Sequence, residues 1–331
     1  MKVITVASYY GTGSSAVTDF ISEFKDVKSL TDYEFRFAHD PDGLSELEYN
    51  LIENFNRHNS GHALKRYKDI VDYYGNHFCV KRYEPYFNGN WKKLSYEYIN
   101  SLVDFSYKGR WQFDFYDKGR WYEFWHKFPE RIMHKTFWRK KPDKHVGMNS
   151  GVLYASHPTE KEFLEKTRDY TDKLIKSANP ENLPYVILDQ LVPSTNIERH
   201  ARYFNNLKVF LVDRDPRDIY LLNKFEWKCG MVPTDAETFI KWFKYTRSPR
   251  KTEDFNPDRV MFVKFEDLVY NYEETTSKIA EFVGLSKENH INPKKFFNPS
   301  VSVKNTKVWE KYQTEDTKLI EKELKEYLYQ Y

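Results

Sequence analysis

The sequence predicts an α/β protein with three layers. A central parallel sheet is covered by helices on both faces and carries a largely helical, aromatic-rich insertion. Three observations support this. Continuous apolar runs at 2–8, 185–188, 208–213 and 259–265 read as strands buried on both faces. Segments of helical apolar spacing alternate with them, which is the pattern of a parallel sheet. Residues 83–138 break both periods and hold five of the eight tryptophans together with fourteen tyrosines and phenylalanines. The 331 residues are read as a single domain, 1–331, with the insertion at about 26–184.

The elements follow in order. "KVITVAS" (2–8) is a β-branched strand, and apolar residues at Ala16, Val17, Phe20, Ile21 and Phe24 place a helix after it. Residues 44–74 predict two helices broken near "NSG", and 77–83 fits a further strand. An amphipathic helix spans 157–178, followed by strands "YVIL" and "KVFLVD". Pro216 suits the first turn of the next helix. Thr234 and Glu237 form the pattern of a capping box. "RVMFVKF" (259–265) is the last clear strand, before helices near 271–284 and 314–329.

Composition excludes several classes. A net charge of +3 and a pI near 8.4 give no global signature of nucleic-acid binding. No run reaches the roughly 18–20 apolar residues of a membrane span. The apolar start "VITVAS" has six residues and no cleavage signature, so no secretory signal is expected. Cys79 and Cys229 are the only cysteines, which predicts reduced thiols in the cytoplasm and no structural metal.

The chemistry begins at "SYYGTGSSAV" (8–17), between the first strand and its helix. Gly11 and Gly13 allow positive φ and close backbone approach, so Gly11, Thr12, Gly13, Ser14 and Ser15 can form an anion nest. An ATP-binding loop needs G-x-x-x-x-G-K-[ST], and here serine follows Gly13 directly. The dinucleotide fingerprint fails as well, with alanine at 16. "KVFLVDRDPRDIYLL" sets Arg214 and Arg217 just past a buried strand, where guanidinium groups suit phosphate, and Asp215 and Asp218 are placed to orient them. "VKFEDL" ends a strand at Phe265, and "SVKNTKVWEKY" brings Lys304, Asn305, Lys307 and Trp309 before the last helix.

In this order the four elements resemble the sulfotransferases that use 3′-phosphoadenosine 5′-phosphosulfate (PAPS). The resemblance covers residues 1–25, about 185–225 and 259–331, and is poor between 26 and 184. It implies a P-loop-NTPase-like sulfotransferase fold and PAPS as co-substrate without a metal. The reaction it implies is sulfonyl transfer to an acceptor hydroxyl, on a glycan sugar or a small apolar alcohol such as a sterol. It assigns Gly11–Ser15 to the phosphosulfate, Arg214 to the 3′-phosphate and Phe265 to the adenine. Lys304, Asn305 and Lys307 fall in the segment closing over the 3′-phosphate, with Trp309 as its packing anchor.

The chain departs from the family pattern at several positions. Relatives often carry lysine or arginine where Gly11 stands; Lys81, Lys135 or a tail lysine is left to supply that charge. Ala16 replaces a common aromatic. Leu222 stands where a serine usually joins the arginine, with Asn223 beside it as a substitute. The usual histidine base is absent, and Asp189 occupies its place, with His134, His126 and His157 in reserve. Two other readings remain: a P-loop nucleotide phosphotransferase, and a catalytically weak nucleotide- or glycan-binding relative. The aromatic stretch reads as the core of the insertion, an acceptor cleft or, against its mixed charge, a base-stacking surface.

Overall fold

The computed structural model describes residues 1–75, 82–144 and 151–331. Its strands are β1 (Lys2–Ser8), β2 (Val27–Glu34), β3 (Phe105–Gly109), β4 (Gly151–Ala155), β5 (Tyr185–Asp189), β6 (Leu207–Asp213) and β7 (Val260–Lys264). Five make one parallel sheet in the order β2-β5-β1-β6-β7, while β3 and β4 pair antiparallel apart from it.

The two-residue period of a strand splits the core. Val3 and Ala7 of β1, Val186 and Leu188 of β5, and Val209 and Leu211 of β6 face one side. There they meet the helices Leu44–Leu51, Arg57–Gly75, Trp91–Leu102 and Glu160–Ala178. Ile4, Val6, Ile187, Phe210, Val212 and Val263 face the other, against Ser15–Ile21, Phe265–Tyr270 and Tyr272–Val283. Burying each such side chain is worth about 1.5–3 kcal/mol, so both helical layers are held to the sheet by apolar contact. The three-layer α/β/α architecture expected from the sequence is present.

Several local expectations change. β2 was not anticipated. Only Val27 and Leu30 of it are buried, so it lacks the continuous apolar run of a strand covered on both faces. The break between the helices of 44–75 lies at residues 52–56 instead of "NSG". Ser60 and Gly61 sit inside the second helix, where a Cβ on Gly61 would come 3.0 Å from the carbonyl oxygen of Tyr154. Thr234 does not cap the helix Ala236–Arg247. Asp235 does, accepting from the Thr238 N–H at 2.8 Å. Of the strand expected at 77–83, residues 77–81 lie outside the described residues, as do Lys81 and Cys79; Arg82 and Tyr83 are not in a strand.

The aromatic stretch divides. Trp91 is wholly buried and donates to the carbonyl of Val71 at 2.8 Å, and Tyr98 stacks on Tyr170 at 4.5 Å. Residues 119–135 form a helix with no buried residue, so core filling accounts for only the first part.

Candidate active site

The carboxyl ends of all five parallel strands converge on one edge of the sheet, the place where open α/β sheets bind ligands. β1 delivers the loop Tyr9–Ser14. Gly11 and Gly13 have φ of +79° and +78°, and Ser14 returns to −56°. This alternation of hand is the geometry of an anion nest. Thr12 ties the turn down by donating its N–H and hydroxyl to the carbonyl of Tyr9 at 3.4 and 3.0 Å. Ser8 donates to Ser14 at 3.1 Å, and the Gln190 amide at the end of β5 donates to Ser8 at 2.7 Å.

Both glycines are required by packing. A Cβ on Gly13 would meet the ring of Phe265 at 2.6 Å, and one on Gly11 would meet Trp227 at 3.0 Å. Phe265 arrives directly after β7, as the first residue of its helix. Trp227 arrives by a less regular route. Asp215 caps the helix Pro216–Leu221 after β6, and the chain then widens into one π-turn over Leu222–Trp227. Such bulges re-aim side chains, and this one brings Trp227 back to the loop.

Arg214 lies between these two aromatics, its guanidinium 4.6 Å from the Phe265 centroid and 5.8 Å from that of Trp227. It donates to the carbonyls of Gly11, at 3.3 Å, and of Asn305. Its Nε is buried without a partner among the described residues. Asp218 and Glu266 are wholly buried close by, each with one carboxylate oxygen unpartnered among the described residues. Burial pushes both up to about 7, although Arg214 opposes the rise. Burial in turn lowers the affinity of Arg214 for its proton, against the pull of the same carboxylates. This is a buried cluster with unspent hydrogen-bonding capacity, which commonly marks a ligand site.

Arg217 has a different role. Its guanidinium is bidentate to Asp215 at 3.0 and 2.8 Å and lies 3.6 Å over Trp309, so it anchors the 303–311 segment. Asp218 accepts the Val308 N–H at 2.8 Å and makes no bond to either arginine. The last residues close the same region: Tyr329 donates its N–H to Asp215 and its hydroxyl to Asp267, and Tyr331 packs on Trp309.

A second cavity adjoins the loop. The loop cavity, about 470 Å³, is lined beyond residues 8–15 by Glu34, Arg36, His39 and Gln190. Glu34 and Arg36 also line a neighbouring cavity of about 590 Å³, with Asp32, Asp40, Arg82 and Asp189. Burial, with Glu34 adding to it, pushes Asp189 up to about 7, and its Oδ1 is buried without a partner among the described residues. Burial drives His39 down to about 4, leaving a neutral imidazole at neutral pH.

The structure therefore packs Phe265 and Arg214 against the loop of Gly11, Thr12, Gly13, Ser14 and Ser15, with Asn305 bonded to Arg214, and sets Asp189 in the neighbouring cavity. Other expected residues sit elsewhere. Asn223 is buried and spends its amide on Val232 and Cys229. Lys304 is exposed, and Lys307 lies 4.7 Å over the ring of Tyr331. Lys135 ends the exposed helix 119–135. His126 bonds the Tyr122 carbonyl, His134 lies against Trp138, and His157 stacks on Phe55. Trp227, Glu34, Arg36 and His39 were not foreseen. For Glu34, Arg36 and His39, the missing signal was strand β2, whose end carries them.

No family model matches the chain, and no curated protein matches it. Among solved structures, the crystal structure of a sulfotransferase from Mycobacterium avium aligns with a TM-score of 0.38 and 12% identity. The alignment covers 88% of this chain and 66% of that one.

Proposed function

We propose that the protein is a PAPS-dependent sulfotransferase acting on a sugar hydroxyl. The observation that carries this reading is the packing of three features around one loop. These are a double-glycine anion loop, a buried arginine with an unused Nε, and two aromatic rings packed on the loop and the arginine. A nucleotide bearing a 5′-phosphosulfate and a separate 3′-phosphate needs two anion sites and a flat apolar one. In this reading the loop takes the phosphosulfate, Arg214 the 3′-phosphate, and Phe265 with Trp227 the base.

In the reaction, the acceptor oxygen attacks sulfur while the bond from sulfur to the bridging oxygen breaks. That electron pair leaves with adenosine 3′,5′-bisphosphate, and the hydroxyl proton passes to Asp189. A carboxylate held near neutral pH is suited to this transfer, usually worth about 10²- to 10⁴-fold. With glycine at 11, we assign to Arg36, which lines the loop cavity while paired with Asp40 at 2.8 Å, the charge that offsets the leaving oxygen. The acceptor cavity is lined by carboxylates, arginines and tyrosines, which match the dense hydroxyls of a sugar better than a sterol.

The phosphotransferase alternative needs a carboxylate free to place magnesium. Asp213, at the end of β6, is instead engaged by Arg247 at 3.0 Å and Arg250 at 2.7 Å. The deciding experiment is turnover with labelled PAPS across a panel of sugars and sterols, run beside labelled ATP with magnesium. Sulfonated sugar is expected. Phosphorylated product from ATP, with none from PAPS, would overturn the proposal.

A further inference from the structure

The helix Gly119–Lys135 is long and has no buried residue. Its apolar side chains nevertheless follow one face. At 3.6 residues per turn, Trp121, Phe124, Trp125, Phe128 and Ile132 fall within about 100° of its circumference. All five are exposed, Trp121 at 76% and Trp125 at 66%. Tyr122 and His126, on one flank, rest on Phe115. Among the described residues nothing covers the apolar face. Two tryptophans and two phenylalanines in a continuous exposed stripe exceed the scattered apolar residues of an ordinary surface.

The charge flanking this stripe is mainly positive, although Glu123 pairs with Lys127. Arg120, Lys127, Arg131 and Lys135 line its other flank, and all are exposed. The chain then runs through Phe137 and Trp138 into Arg139, Lys140, Lys141 and Lys144, also exposed apart from the half-buried Trp138. Residues 118–144 hold nine Lys and Arg against three Asp and Glu, a net +6 in a chain whose total is +3. The remaining residues are thus net acidic, and the positive charge is concentrated beside the exposed tryptophans.

We propose that residues 118–144 dock the protein on an anionic lipid bilayer, with the helix lying in the interface. A second protein chain of ordinary composition would need an acidic, apolar groove; a bilayer surface supplies both features without one. Trp and Phe bury at the boundary between headgroups and acyl chains, and Lys and Arg stay among anionic headgroups. No helix among the described residues is long and apolar enough to cross a membrane, so the contact is peripheral. The proposal is independent of the donor and acceptor chemistry above, since none of these side chains lines either cavity.

The test is co-sedimentation of the full chain with vesicles of phosphatidylcholine alone and of phosphatidylcholine mixed with phosphatidylglycerol. Partitioning should rise about tenfold or more with the anionic lipid and fall at high salt. Trp121→Ala with Trp125→Ala should lower it about tenfold or more, as should Arg139→Glu with Lys140→Glu and Lys141→Glu. Circular dichroism and nucleotide affinity, unchanged in all variants, show that the fold is kept. Vesicle binding indifferent to both sets of substitutions would overturn the proposal. So would a concentration-dependent dimer abolished by the tryptophan variants, with no vesicle binding, which would make the face a contact between two copies. Binding lost only in the charge variants would also overturn the interfacial helix, leaving surface attraction alone.

Discussion

Glu34 and Asp189 are register partners across the parallel strands β2 and β5, and the Phe35 N–H donates to the Asp189 carbonyl at 2.8 Å. Two carboxylates thus end adjacent strands at the cavity beside the loop, and Glu34 also lines the loop cavity. Their proximity adds to burial in pushing the Asp189 carboxyl up to about 7.

The first prediction concerns that base. Asp189→Asn should lower kcat by about 10²- to 10⁴-fold and leave nucleotide affinity unchanged. In the parent, kcat should rise with pH through about 7 as the carboxylate ionises, and the variant should lose that limb. Stability separates catalysis from structure. A carboxyl raised in the folded state binds more protons folded than unfolded, so it destabilises the fold as pH rises from about 4 to about 7. The variant should therefore melt no lower than the parent at pH 8. A clearly lower melting temperature with normal kcat would make Asp189 structural.

Arg214→Ala should weaken adenosine 3′,5′-bisphosphate binding by about 1.5–3 kcal/mol, the value of a charge-assisted contact. Titration calorimetry measures this, with circular dichroism as the check on folding, because Asp218 and Glu266 lose their neighbouring cation. Unchanged affinity in a folded variant would remove the assignment.

Gly13→Ala tests the loop. The new methyl would meet Phe265 at 2.6 Å on a backbone at φ +78°, so strain and overpacking combine at about 1–3 kcal/mol. Gly89→Ala is the control: its φ is +74°, but nothing lies within 4 Å. The first variant should lose both melting temperature and nucleotide binding, the second only a little of the former. Equal behaviour would show that Phe265 does not press on the loop.

Asp213→Asn should destabilise the fold by about 3–5 kcal/mol, since wholly buried Arg247 would lose its counter-ion. Although burial opposes it, Arg247 and Arg250 hold Asp213 below the usual carboxylate range. Its contribution is therefore present above about pH 4 and is lost as pH falls through the lowered value. Denaturant melts of parent and variant should converge in acid. A difference that persists there would assign the effect to packing.

Turnover should survive a chelator. Asp213 is committed to two arginines, and the loop has no Lys-Ser or Lys-Thr pair to place magnesium. Activity lost with chelator and restored by magnesium would favour phosphoryl transfer.

Neighbours along the chain set several features of this protein. Doubly buried strands announce themselves as apolar runs, and β1, β5, β6 and β7 were all legible this way. The loop was legible from Gly11 and Gly13, and the start of the helix after β6 from Pro216; that Asp215 caps it was not. Tertiary structure decided what depends on partners distant in sequence. β2 lacks a continuous apolar run because only Val27 and Leu30 are covered, and only pairing with β5 makes it a strand. Glu34, Arg36 and His39 then reach the cavity with it. The π-turn that returns Trp227 to Gly11 has no local signature, because packing selects it. The role of Arg217 was undecidable from "RDPRD", where two arginines look alike; Trp309, more than ninety residues on, claims one of them. The aromatic density of 83–138 gave no sign of which rings would be covered. Trp91 found a core between helices, while Trp121 and Trp125 remained outside it, because burial is a property of the assembled layers and not of the residue.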